Sequence, residues 1–153
     1  MSHEDSLKKH HIELPEAPNP VGSYVAAHIV GNLLYTSGML PMDCGRLAWI
    51  GKVGADINFD EAKIAARQCA MNLLALVKAK CGTVDCIEQV LSITGYVNGV
   101  DGFSESPAVL NGASDFLVDI LGDAGLHTRS AVSVNGLPMG APVEISAIFQ
   151  ISI

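Results

Sequence analysis

Apolar residues along this chain keep two different spacings, and each change of spacing marks a new element. Tyr24 to Val30 and Leu33 to Ser37 are β-rich runs on either side of the turn signal Gly31-Asn32, which predicts a hairpin. Pro41 to Gly45 is expected to be a loop, and Arg46 to Ile50 adds a short third strand before the connection from Gly51 to Asn58. Between Asp60 and Lys80 the spacing becomes helical. Ile64, Ala65, Cys69, Met71, Leu73, Leu76 and Val77 form a broad apolar face with small residues that allow close packing on a sheet. Asn58 or Asp60 can cap this helix, and Gly82 stands just past its last turn.

Ile87 to Val97 returns to β-branched alternation, at a length suited to a central strand. A second helix is predicted to start with Ser106 as its cap and Pro107 at its first position. It carries Val109, Leu110, Ala113, Phe116, Leu117, Ile120 and Leu121 on one stripe, and Gly122 closes it. Ala131 to Val134 and Val143 to Ile151 supply two more strands around the turn-forming Leu137 to Gly140. In the last strand Val143, Ile145, Ala147, Phe149 and Ile151 share one face, while Glu144, Ser146 and Gln150 share the other. The order ββ(β)αβαββ describes an α+β layer in which two helices cover one side of a mixed sheet and the far side stays bare. Oligomerisation is the economical way to cover that second face.

Residues 1–19 contain Pro15 and Pro18 and few apolar positions, so they are expected to form an extended N-terminal arm with a mobile start. Residues 20–153 are expected to form one domain, since 153 residues is near the usual size of a single domain. With 49% hydrophobic and 16% charged residues, the chain is expected to place some apolar surface in a subunit interface. No run approaches the roughly 18 to 20 apolar residues of a membrane span. The polar opening lacks a secretory core, so a cytoplasmic location is expected.

A net charge of −7, with 9 thinly spread basic residues, supplies no stripe for a phosphate backbone, and nucleic acid is not expected as a partner. Cys44, Cys69, Cys81 and Cys86 show no C-x-x-C spacing and are expected to be reduced structural thiols. His3, His10, His11, His28 and His127 lack ligand spacing, so no metal site is expected, and no nucleotide or dinucleotide fingerprint implies a cofactor.

One constellation carries chemistry. Arg129 precedes an alternating strand, then come the Leu137-Pro138 turn and the strand Val143-Glu144-Ile145-Ser146-Ala147. Upstream stand Gly22-Ser23-Tyr24, Gly31-Asn32 and Ser37-Gly38-Met39-Leu40-Pro41. For the residues alone, Arg129 is either an anchor for a carboxylate or half of an ion pair with Glu144 or Asp115. Glu144 is either a carboxylate facing a cleft or a solvated strand residue.

Together these motifs resemble the YjgF/Rid family (reactive intermediate deaminase, endoribonuclease L-PSP-like) from about Pro20 to Ile151. The resemblance implies a chorismate-mutase-like fold of the bacillus type and a homotrimer with clefts between neighbouring subunits. It implies that Arg129 holds the substrate carboxylate and that Glu144 orders or activates a water. Tyr24 would line the pocket, Ser37 and Gly38 would contact the ligand, and Tyr96 falls near a pocket aromatic. Two departures point to a divergent, longer branch: Ala131 stands where deaminating members commonly carry cysteine, and the 41–58 and 104–125 regions differ.

The function so implied is cofactor-free hydrolysis of enamine or imine intermediates, such as 2-aminoacrylate, to 2-keto acids. The alternative is a non-catalytic trimer that binds a small carboxylate metabolite. An endoribonuclease or translation inhibitor ranks third, because the chain is acidic.

Overall fold

The computed structural model describes every residue from Met1 to Ile153. A hairpin opens the domain: β1 (Ala27–Val30) and β2 (Leu33–Thr36) pair antiparallel around Gly31-Asn32. Two further strands, β3 (Met42–Asp43) and β4 (Arg46–Leu47), form a separate two-stranded ribbon, so the predicted third strand does not join the main sheet and part of the predicted loop is strand. The long strands β5 (Ile87–Asn98), β6 (Thr128–Val134) and β7 (Val143–Ile151) complete a five-stranded sheet of order β1-β2-β7-β5-β6. Only β5 and β6 run parallel, which makes the sheet mixed.

Two helices, α2 (Phe59–Cys81) and α3 (Ser106–Leu121), lie on one face. Asn58 caps α2 through a reciprocal pair: Glu61 N–H donates to Asn58 Oδ1 at 2.9 Å and Asn58 N–H donates to Glu61 Oε1 at 3.2 Å. Gly82 ends the helix in the left-handed region, φ 84°. Most of the apolar positions foreseen on the helices are buried, α2 against β7, α3 against β5 and β6, and the two helices against each other, but Ile64 of the foreseen α2 face stands exposed and Met71 is only partly buried. The helices cross closely at Gly112, where a Cβ would sit 2.1 Å from Lys63 O. Ser106 does not cap α3. The cap position falls on Glu105, and Ser106 Oγ is buried without a hydrogen-bond partner.

The expected two helices are three. Within the arm expected to be extended, His3–Lys9 forms α1, capped by Ser2, whose Oγ accepts from Asp5 N–H at 3.1 Å. Seven residues are too few for a helix stable on its own in water, so packing holds it. Leu7 is buried, His3 meets Ile87 O at 3.0 Å, and the Glu4 carboxylate accepts from Lys78 Nζ (3.0 Å), Thr83 Oγ1 (3.1 Å) and Val84 N–H (3.2 Å). Burial pushes the Glu4 carboxyl up, but these hydrogen bonds and the Lys78 charge outweigh it and the net pKa lies below the ordinary value. One buried apolar residue makes no periodic stripe, which is why the sequence pattern missed α1.

The other face of the sheet carries Glu144, Ser146 and Ile148 of β7 beside Tyr96, Thr94 and Ser92 of β5, and neither large helix covers it. Tyr35 and Val132 stand exposed on that face. No helix is long and apolar enough to cross a membrane.

Candidate functional site

Past the end of β2, the chain bends against β7. Met39 N–H donates to Ile145 O at 2.8 Å and Ile145 N–H donates to Met39 O at 3.0 Å, so Gly38 is laid directly beside Glu144. Asn72, wholly buried in α2, donates through Nδ2 to Leu40 O and to Met42 O, each at 2.9 Å, and pins the segment that follows. Lys52 Nζ donates to Asn98 Oδ1 at 3.0 Å and to Asn135 O at 2.6 Å, which ties the loop ahead of Pro138 to the end of β5. These anchors leave a cleft of about 750 Å³ over the open face of the sheet. Residues 15–21 wall it together with Tyr24, Gly38, Met39, Leu40 and Glu144.

Glu144 is half-buried, and burial alone raises its carboxyl pKa above the ordinary value. Gly38 makes room for it: a Cβ there would meet Glu144 Oε1 at 2.6 Å. The charged residues lining the cleft are Glu16 and Glu144, with no Lys, Arg or His among them. Cys44 also lines it, at the tip of the β3–β4 ribbon, where the sequence pattern gave no hint of it. Of the other thiols, Cys69 is pushed well up by burial and then by the Glu144 charge, and Cys86 is pushed up to about 12 by burial and by Cys81. No group of three or more His, Cys, Asp and Glu side chains is placed to hold a metal ion.

The residues singled out in the sequence divide into two sets. Tyr24, Gly38 and Glu144 share the cleft. Tyr96 stands directly across from Glu144 on β5, outside the lining, and Ser37 spends its hydroxyl on Val25 O at 2.6 Å. Arg129 is on edge strand β6, where its register with Ile93 turns it toward the helical layer. Its Nη1 donates to Asn111 Oδ1 at 2.8 Å and to Ser114 Oγ at 3.1 Å. The ion pairs of the chain are Lys78–Glu4 and Lys8–Asp5, so the guanidinium is paired with neither Glu144 nor Asp115. Arg129 and Glu144 therefore project from opposite faces of the sheet, with β5 between their strands. The 15–21 wall and the neighbours of Arg129 come from distant parts of the chain, and no local spacing announces them.

A family model described as "YjgF/chorismate mutase-like, putative endoribonuclease" matches residues 4–148. Protein TCP17 of Trypanosoma cruzi is 34% identical over 148 residues, covering 96% of this chain and 92% of that protein. A crystal structure of an Agrobacterium tumefaciens protein of unknown function superposes with TM-score 0.90 at 44% identity, covering 98% of this chain and 92% of the other. Escherichia coli TdcF, which bears the name "Putative reactive intermediate deaminase", is 29% identical over 90% of this chain and 93% of its own. Its crystal structure with bound serine superposes with TM-score 0.68 at 25% identity, covering 92% of this chain and 97% of TdcF.

Proposed function

Because this chain belongs to the YjgF/Rid family, we propose that it is a cofactor-free hydrolase of reactive enamine and imine intermediates, working as a homotrimer whose clefts are shared between neighbouring subunits. The observation that carries this reading is a separation of charge. The cleft holds two carboxylates and no cation, so it cannot by itself retain an anionic substrate. Arg129, at the sheet edge, has a guanidinium free of any carboxylate. A second copy docked by its edge against the open face supplies the missing cation and covers the exposed Tyr35 and Val132. Serine bound to TdcF is a small carboxylate of the kind such an arginine would take.

In this scheme the Arg129 guanidinium takes the substrate carboxylate and places the imine carbon over Glu144. A water donates a proton to the Glu144 carboxylate, and its oxygen bonds to that carbon as the C=N π electrons move to nitrogen. Glu144 returns that proton to the nitrogen to give a carbinolamine, whose hydroxyl then passes its own proton through Glu144 to the amino nitrogen as the C–N bond breaks, so that ammonia leaves and a 2-keto acid remains. A raised pKa makes Glu144 a better base than a free carboxylate. Tyr24 lines the pocket, and the Ser37-Gly38 segment, held by the Ser37 hydroxyl on Val25 O, keeps Gly38 beside Glu144.

Ammonia release from freshly generated 2-aminoacrylate tests this reading. Wild type is expected to exceed both Arg129→Ala and buffer, and three equal rates would remove it. Saturable pyruvate binding without ammonia release would instead support a non-catalytic keto-acid-binding trimer, a reading favoured by Ala131 standing in the place of the usual cysteine. An endoribonuclease is the least favoured reading, because the cleft presents carboxylates where a phosphate backbone needs cations.

A further inference from the structure

The side chains around Arg129 form a relay of hydrogen bonds that ends on the backbone. His127 Nδ1 lies 2.6 Å from Gly125 O. A carbonyl only accepts, so Nδ1 is the donor there, and in the tautomer this selects Nε2 is the acceptor. Ser114 Oγ, 2.9 Å from Nε2, donates its single proton there. The Ser114 oxygen then accepts from Arg129 Nη1 at 3.1 Å, and the second Nη1 proton goes to Asn111 Oδ1 at 2.8 Å. Asn111 and Ser114 are three apart on α3 and face β6 together, while His127 and Arg129 alternate along the chain entering β6.

Both N–H groups of Nη1 are thereby occupied, whereas Nε and Nη2 donate to no protein atom. A guanidinium can grip a carboxylate with two prongs through its Nη1–Nη2 end or through its Nε–Nη2 side. Here the end is closed and the side is open.

We propose that Asn111, Ser114 and His127 are positioning residues that lock Arg129 so that it receives the substrate carboxylate through its Nε–Nη2 edge. This rests on the anchor role assigned to Arg129 above. A pre-set guanidinium loses less rotamer freedom on binding, so the relay acts on affinity and leaves the chemical step to the cleft. A neutral relay is also required. A carboxylate at position 111 would pair with Nη1 and compete with the substrate for the charge.

The full-length protein is titrated with pyruvate and assayed for ammonia release from 2-aminoacrylate. Ser114→Ala is expected to raise KM and the pyruvate Kd roughly three- to tenfold, the loss of one pre-ordered side chain, with kcat unchanged. Ser114→Thr, which keeps the hydroxyl, restores most of the affinity, and Asn111→Asp weakens binding further. A merely structural role would instead lower kcat and thermal stability together. Should Ser114→Ala fail to fold, Asn111→Ala at an exposed position reads the same KM change. If Arg129→Ala abolishes pyruvate binding while the Ser114 and Asn111 variants bind like wild type, the positioning role is overturned and the anchor survives. If Arg129→Ala itself binds like wild type, both fall.

Discussion

The carboxylate of Glu144 packs against the backbone of Gly38 so closely that a methyl group on Gly38 would lie 2.6 Å from Oε1 and 2.8 Å from Cδ. The colliding atoms are the far end of a flexible side chain, so the side chain would yield before the sheet does. Gly38→Ala is therefore expected to keep its melting temperature within a few degrees while turning Glu144 out of place. Misplacing a reacting group by about 1 Å can cost on the order of 100-fold in rate. Thermal melts and ammonia release on one preparation check both halves; an unchanged rate would detach Glu144 from the chemistry.

Arg129 and Glu144 sit on opposite faces of their own sheet, so the proposed site needs a neighbouring chain to bring them together. Co-expressed Arg129→Ala and Glu144→Gln subunits, each inactive alone, are expected to regain activity in mixed trimers. With random assembly, roughly one quarter of the interfaces carry both intact groups. Hybrids that remain dead, or a wild-type protein that sediments as a monomer, would contradict a shared cleft.

Two carboxylates tie stability to pH in opposite directions. Glu144 has a raised folded pKa, so its contribution is full below the ordinary carboxylate value and is lost as pH rises through the folded value. Glu144→Gln should therefore gain on wild type in thermal stability from pH 4 to pH 7. Glu4 has a lowered pKa, so its contribution is present above the ordinary value and lost as pH falls through the folded one. Glu4→Gln should cost more at pH 7 than at pH 3. Melting curves of both variants at three pH values check the two signs.

Helix α1 is fastened by one apolar side chain and one carboxylate, Leu7 and Glu4. Leu7→Ala is expected to cost about 2 kcal/mol, the low end for a buried leucine because the site lies at the edge of the core. Urea unfolding measures the loss, and amide exchange over His3–Lys9 should rise well ahead of exchange in β5.

The long elements were legible because burial imposes a period. Asn58 with Gly82 bounds α2, and the alternation from Val143 to Ile151 is one buried face of β7 residue for residue. Ser106 misled because a serine before proline has the chemistry of a cap, yet α3 packs so that its hydroxyl is enclosed without a partner. In α1 the decisive contacts run from Glu4 to Lys78, Thr83 and Val84, far away along the chain.

The sequence by itself determined the layered α+β plan and the family, and it singled out Tyr24, Ser37, Gly38, Tyr96, Arg129 and Glu144 without showing which of them meet. Tertiary structure alone decided which side of the sheet each charge occupies, that residues 15–21 wall the cleft, and that Asn111 and Ser114 gather on Arg129 with His127 behind Ser114. Periodicity records whether a side chain meets apolar neighbours or water, whereas a polar contact is set by the direction of a few atoms in segments that only folding brings within 3 Å of one another.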